Sequence, residues 1–213
     1  MKVSIPNQEY EVNPEDVTAV QNLINFLVPE QVKQLAGMLT DTIKGWRAEN
    51  MVKVMVKTKK LIRDSGLSEN ELNGKFFVQA IEKASVEDDE LIQDKWAIML
   101  ANAHLGKIEQ DVKYINILSE LSLNEVKLLD LLYSLELKTP DLAFSTEKVA
   151  QNFGLNIQTV KVMIDNLYRL NICQPPAASG ISIGPEKMML RTNNSFTFTD
   201  LGKEFLLNCT RKF

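Results

Sequence analysis

Residues 85–103 read SVEDDELIQDKWAIMLANA, a short acidic stretch followed by mostly apolar residues. Ser85 or Glu87 is placed to cap a helix, and acidic side chains suit the positive N-terminal end of a helix. Beyond Leu91, apolar residues cover most of the helical circumference, which is typical of a helix buried on all sides. These residues therefore predict the central helix of a bundle, with Trp96 as a core anchor.

Helical periodicity dominates the sequence on both sides of this stretch, as far as Leu135. Asn13 and Pro14 form a good helix start, because Asn caps free N–H groups and Pro needs no partner at the first position. Besides the central helix, the predicted helices cover residues 14–28, 76–84, 112–121 and 124–135. One of them has its apolar stripe at Phe76, Phe77, Ala80, Ile81 and Ala84. A further helical stretch begins at Pro29 or Glu30 and ends at Ser65, either as one long helix or with a bend at Gly45.

The helix that ends at Ser65, before Gly66, concentrates positive charge. From residue 44 to residue 63, seven Lys and Arg stand against a single Glu. On a helical wheel the apolar residues gather on one side. Four cations lie roughly opposite: Lys53, Lys57, Lys60 and Arg63. This basic face is a candidate contact for phosphates or for an acidic protein, and a merely solvated surface is the alternative.

Beyond Glu136 the pattern changes, and Pro140 disfavours helical geometry at Thr139. We therefore predict a helical bundle over residues 1–138 and a smaller domain over residues 145–213. In the smaller domain, Ser145 caps a helix through Phe153, and Gly154 turns the chain. Asn156 then caps a second helix through Leu170.

Strand-like segments follow at residues 187–191 and 196–199, joined by turn-forming residues 192–195. Thr199 caps a last helix. A hairpin that follows a helix-turn-helix corresponds to a wing. The predicted fold class is therefore mainly α, an N-terminal helical bundle followed by a small C-terminal winged helix-turn-helix domain.

The second helix of this motif is a candidate DNA-reading helix, since such a helix enters the major groove. Its predicted outward residues are Gln158, Thr159, Lys161, Asp165, Asn166 and Arg169. Gln and Asn can read adenine, and Lys and Arg can bind guanine or phosphate. Eight basic residues against five acidic ones in residues 145–213 give little charge support, and winged helices also dock proteins. DNA binding and protein docking are therefore both possible functions of this helix.

Composition limits the classes of function. The 213 residues carry a net charge of −4, so a protein-wide positive field for DNA or anionic lipid is excluded. Cys173 and Cys209 belong to no CxxC pair, which excludes a disulfide framework and a zinc site of standard spacing. The N-terminus lacks the pattern of a signal peptide, and no run is long and apolar enough to span a membrane. We expect a cytoplasmic protein.

Catalytic motifs are absent from the sequence, which contains no GxSxG, Walker or GxGxxG pattern. The acidic residues 87–90 lack the alternating spacing and the glycine of a calcium loop. His104 has no partnered Cys or Ser motif. We expect neither catalytic residues nor a cofactor or metal.

Five segments stand out as recognisable: WRAEN (46–50), ASVEDDELIQDKWA (84–97), LANA (100–103), YINILSELS (114–122) and EVKLL (125–129). Together they resemble the abortive infection alpha family of bacterial antiphage proteins. The resemblance is good over residues 43–135 and looser in the C-terminal part. It implies phage resistance through abortive infection and supplies no catalytic mechanism.

These observations together favour a phage-defence protein that acts through contacts with a protein or nucleic acid partner instead of catalysis. The alternative is a winged-helix transcriptional regulator that binds DNA.

Overall fold

The computed structural model describes residues 46–67, 70–139, 143–176 and 195–210. Within these ranges the protein is mainly helical, as the sequence predicts, and it has eight helices and one small sheet. In chain order the helices are α1 (Trp46–Ser65), α2 (Gly74–Ala84), α3 (Glu90–His104), α4 (Val112–Ser119), α5 (Leu123–Glu136), α6 (Thr146–Phe153), α7 (Ile157–Arg169) and α8 (Asp200–Thr210). The strands are β1 (Phe144–Ser145), β2 (Cys173–Gln174) and β3 (Ser195–Phe198). The helices predicted before residue 44 and the strand predicted at 187–191 lie outside the described residues.

The central helix α3 is buried along nearly its whole length, and Trp96 is fully buried, which confirms its predicted core position. The predicted cap at Ser85 or Glu87 is wrong. Asp89 caps α3 instead, because its Oδ1 accepts hydrogen bonds from the backbone N–H of Leu91 at 2.9 Å and of Ile92 at 3.3 Å. Ser85 ends the preceding helix α2, where its backbone N–H donates to Ile81 O.

The described residues fall into two compact units, one reaching Leu123 and including the chain from Asn208 onward, the other formed by Asn124–Leu207. In the first unit, α1 packs along α3, and α2 packs against α3 and α4. The predicted apolar stripe of α2 is confirmed, since all five of its residues are buried. The domain junction predicted at Pro140 stays a prediction, because Pro140 lies outside the described residues.

The second unit contains a helix pair and an antiparallel sheet with the strand order β1-β3-β2. Ser145 and Asn156 cap α6 and α7 as predicted, and Gly154 between the helices has a left-handed φ of 63°. In the sheet, Phe144 lies opposite Phe196, with ring centroids 5.5 Å apart. The sequence did not reveal β1 or β2, which are only two residues long.

The residues at the start of α8 are hydrogen-bonded to the backbone just before β2. Thr199 Oγ1 accepts a hydrogen bond from the backbone N–H of Gly202 at 2.9 Å, which confirms the predicted cap. The backbone N–H of Thr199 donates to Ile172 O at 3.0 Å. This close approach leaves no room for a side chain at Gly202, where a Cβ would lie 2.1 Å from Ile172 O.

None of the helices in the described ranges is both long enough and apolar enough to cross a membrane.

Trp96→Ala is expected to lower the free energy of unfolding by about 3 to 5 kcal/mol, because it empties a large buried site. The matched control is Trp46→Ala, since Trp46 is 48% exposed, and its loss should change stability by no more than about 0.5 kcal/mol. Urea unfolding measures both variants. Equal effects of the two substitutions would contradict the assigned core.

Gly202→Ala is expected to destabilise the second unit by about 1 to 3 kcal/mol, because the new methyl group meets backbone that cannot rotate away. Gly154→Ala is the comparison, since its Cβ would meet nothing within 4 Å and only its φ of 63° is strained. Thermal melting of both variants should show the larger loss for Gly202→Ala. The reverse order would disprove the close approach.

Candidate functional site

The outer face of α1 carries three exposed cations, Lys53, Lys60 and Arg63. Val56 lies among them and is 51% exposed, although it is apolar. We call these four residues the α1 strip. The exposed residues of α1 also include two acids, Glu49 and Asp64, so the positive charge is concentrated between residues 53 and 63.

Lys57 does not join the strip, although the sequence grouped it with these cations. Its Nζ lies 2.6 Å from Asp94 Oδ1 and 3.6 Å from Glu90 Oε1, and the side chain is only 27% exposed. Both acids belong to α3, the helix against which α1 packs. Lys57 therefore pairs the two helices, and its charge is largely neutralised within the protein.

A cluster of hydrogen bonds fastens the start of α1 to the connection between α2 and α3. The guanidinium of Arg47 donates to Ser85 Oγ through Nε at 3.2 Å and Nη2 at 2.9 Å. Asn50 Nδ2 donates to Ser85 O at 3.5 Å. Gln93 Nε2 donates to Asn50 Oδ1 at 3.3 Å and to Glu87 O at 2.9 Å. We call Arg47, Asn50, Ser85 and Gln93 the polar junction.

The polar junction has the properties of a structural element. Asn50, Ser85 and Gln93 are buried, and Ser85 Oγ also donates to Glu82 O at 2.7 Å. Buried polar groups cost free energy unless they are paired, and these groups pair with one another. This cluster was not predicted from the sequence. Its only signal was a set of polar residues at positions where α1 and α3 otherwise present apolar side chains.

The segment between α2 and α3, next to the polar junction, contains a carboxyl group with a shifted pKa, that of Glu87. Burial raises the pKa of Glu87, and the neighbouring charges of Asp88 and Asp89 raise it further. Within the described ranges, no three His, Cys, Asp or Glu side chains come together as metal ligands. His104 lies buried at the last position of α3, away from the exposed surface.

A surface groove of about 460 Å³ lies where α2 and α4 begin. Gln110 shapes it, since its Nε2 donates to Glu71 O at 3.1 Å and its Oε1 accepts from the backbone N–H of Asn73. The groove is lined by Asn73, Lys75, Phe76, Glu109, Gln110, Asp111 and Val112. Its charged residues, Lys75, Glu109 and Asp111, have both signs of charge, so the lining does not indicate a particular class of ligand.

The outward face of α7 presents five exposed residues: Gln158, Thr159, Val162, Asp165 and Arg169. We call this set the α7 outer face. Val162 is 68% exposed, more than any other large apolar side chain in the described ranges. An apolar residue thus occupies the middle of the surface that the sequence assigned to recognition.

Asn166 is engaged inside the protein. Its Nδ2 donates to Glu125 Oε1 at 2.8 Å, and Glu125 is buried. Its Oδ1 accepts two hydrogen bonds from Arg169, through Nε at 3.0 Å and Nη2 at 2.7 Å. Bidentate reading of adenine needs both the oxygen and the nitrogen of an amide. Asn166 therefore uses both ends of its amide within the protein and positions the guanidinium of Arg169.

Lys161 is half-buried, and its charge acts on an acid of α6. The pKa of Glu147 is lowered by a hydrogen bond from its own backbone N–H, by the hydroxyl of Ser145 and by the charge of Lys161. The surrounding unit adds no positive field. Over the described residues from Asn124 to Leu207, six Lys and Arg stand against seven Asp and Glu, a net charge of −1.

The sequence model of the abortive infection alpha family matches residues 47–209 of this chain. The match includes the α1 strip, the polar junction and the α7 outer face, and it extends well beyond the segments in which the resemblance was first seen. No curated protein and no solved structure shows a significant match. The chain belongs to the abortive infection alpha family, and this membership implies defence against phage by abortive infection.

Proposed function

We propose that this protein protects cells from phage by contacting another macromolecule instead of catalysing a reaction. The observation that carries the proposal is the α1 strip, which exposes three cations on a helix inside the family-matched region. Its partner has an acidic surface. The cytoplasm, where phage replicate, is the proposed compartment.

The geometry of α1 favours such a contact. Lys53 and Lys60 are seven residues apart, which is about 10 Å along a helix that rises 1.5 Å per residue. α1 is held in place by the polar junction and by the ion pair between Lys57 and Asp94, so the cations sit on a fixed support. Complementary charge on a rigid surface gives fast and selective association.

The buried nucleophiles support a non-catalytic mechanism. Ser85 Oγ is fully buried and engaged with Arg47. Burial raises the pKa of the Cys173 thiol, which disfavours the thiolate needed for nucleophilic attack. Cys209 is also buried.

We propose further that the C-terminal part is a winged helix. Support comes from the turn of Gly154, Leu155 and Asn156 between α6 and α7, and from strand β3 before α8.

Replacing Lys53, Lys60 and Arg63 together by Ala should abolish phage protection, because it removes the proposed contact charges. The soluble amount and the melting temperature should stay close to wild type, since surface substitutions usually cost within about 0.5 kcal/mol each. Phage plating on cells that express each variant measures protection.

The matched control is Glu49→Ala combined with Asp64→Ala, which removes exposed charges of opposite sign from the same helix and should leave protection intact. Full protection by a well-expressed triple variant would eliminate the α1 strip as the contact. Failure of the wild type to protect against a broad phage panel would count against the defence role itself.

The alternative function, a DNA-binding regulator, is favoured by the helix-turn-helix arrangement of α6 and α7. Binding of this kind would weaken steeply with salt, since each neutralised phosphate releases counterions. It would also be lost on charge reversal at Lys161 and Arg169. From the net charge of −1 in this unit, we expect no retention of duplex DNA in a gel-shift assay even at low salt. Salt-dependent retention that these two reversals abolish would establish the regulator.

A further inference from the structure

We infer that this protein pairs with a second copy of itself, through antiparallel contact between the outer faces of the two α1 helices. The contact uses the α1 strip, which the proposed function assigns to an acidic partner. Pairing therefore adds a regulation, because a strip covered by a second copy is not open to that partner. This consequence rests on the proposed function, whereas the pairing itself is independent of it.

The exposed side chains of α1 form one continuous stripe. Trp46 and Glu49 extend the α1 strip toward the start of the helix, and both are exposed. We call the whole set the α1 seam, and its members are Trp46, Glu49, Lys53, Val56, Lys60 and Arg63. Successive members are three or four residues apart in strict alternation, which is the spacing by which two helices pack along a shared line.

The α1 seam is accessible to a second molecule. α1 packs against α3 and α2 through its other side, where Met51, Val54 and Met55 are buried. Within the part of the chain that the structure describes, no side chain of the seam takes part in a hydrogen bond or an ion pair. A second copy therefore reaches the seam without first breaking a polar contact among these residues.

The middle of the seam is complementary to itself in an antiparallel arrangement whose two-fold axis lies midway between Lys53 and Val56. Glu49 of each copy then lies opposite Lys60 of the other, and the opposite charges attract. Lys53 of each copy lies opposite Val56 of the other, and the aliphatic stem of the lysine covers the valine. The two-fold axis forms each of these contacts twice.

The two ends of the seam match as well. Trp46 lies at one end and Arg63 at the other, so antiparallel pairing brings the two residue types together twice. A guanidinium over an indole ring forms a cation–π contact, and tryptophan is the aromatic residue that makes this contact best. The indole of Trp46, which is 48% exposed in the single chain, thereby acquires a partner.

Other arrangements of the same two helices bring like charges together. Parallel pairing places each lysine of the seam opposite its own copy. Sliding the antiparallel pair by three residues in one direction places Lys53 opposite Lys53 of the second copy, and sliding it by four in the other direction places Lys53 opposite Lys60. Like charges that face each other across a contact are destabilising. Charge therefore fixes both the direction and the register of the pairing.

Sedimentation equilibrium of the purified full-length protein, from low-micromolar concentration to about 100 µM, measures the pairing. A contact between one pair of helices is small, so we expect a reversible monomer–dimer equilibrium within this range. Glu49→Lys and Lys60→Glu should each weaken the dimer at least about tenfold, because the axis replaces two attractive contacts by two repulsive ones. Glu109→Lys is the matched control, since it makes the same charge change at an exposed position outside α1 and should leave the dimer unchanged.

Mixing the Glu49→Lys and Lys60→Glu proteins should restore pairing, because every contact between positions 49 and 60 in the mixed dimer again joins opposite charges. A single chain that carries both substitutions should pair as wild type does. Melting temperatures of all variants should match that of wild type, since the substituted side chains are exposed. A wild type that is monomeric at every concentration would overturn the inference. So would a dimer that the single substitutions leave unchanged, or single variants that stay monomeric when mixed.

A short polyglutamate peptide serves as the acidic probe for the regulatory consequence. It should shift the wild type toward monomer, because it competes for the same cations, and a dimer that persists with the peptide bound would overturn the regulation. Phage plating separates the two hypotheses. If the dimer behaves as expected but the alanine variant of Lys53, Lys60 and Arg63 still protects, the proposed function fails and the pairing stands. If that variant loses protection while wild type is monomeric, the pairing fails and the proposed function stands.

Discussion

The first unit depends on the burial of α3. Because apolar side chains surround this helix almost completely, it needs neighbours on several sides, and α1 and α2 supply two of them. α1 therefore turns Met51, Val54 and Met55 toward the interior, and its cations are left outside. The exposed α1 strip is a consequence of how α3 is covered. Trp96 contributes the largest fully buried side chain to this packing.

Much of the fold could be predicted from the sequence because its signals are local. The stripe of α2 follows from spacing alone, and Ser145, Asn156 and Thr199 cap the helices as their chemistry indicates. The start of α3 could not be fixed in the same way. Several capping residues occur in a row there, and in the structure Asp89 caps α3 whereas Ser85 ends α2. Strands β1 and β2 exist only through pairing with β3, and two residues carry no periodicity of their own.

The candidate surfaces could be predicted only in part, for a related reason. A helical wheel places Lys53, Lys57, Lys60 and Arg63 on one side of α1, and three of them are exposed. The wheel contains no information about the acids of α3, which draw Lys57 into an ion pair. Asn166 of α7 is a second example, because its hydrogen-bond partner Glu125 is 41 residues away in sequence and a helical wheel does not include it. Which polar side chain stays available for a partner is decided by contacts between elements.

The polar junction gives the most recognisable segments of the sequence a structural role. Segments 46–50 and 84–97 carry the clearest resemblance to the family, and in the fold they meet through Arg47, Asn50, Ser85 and Gln93. Buried hydrogen bonds of this type specify how two elements fit together, because each partner left unpaired would cost about 1 to 3 kcal/mol. The recognisable residues thus fix the position of α1 against α3. The contacts that we propose with other molecules involve residues that this arrangement leaves exposed, and a motif in the sequence identifies such residues least well.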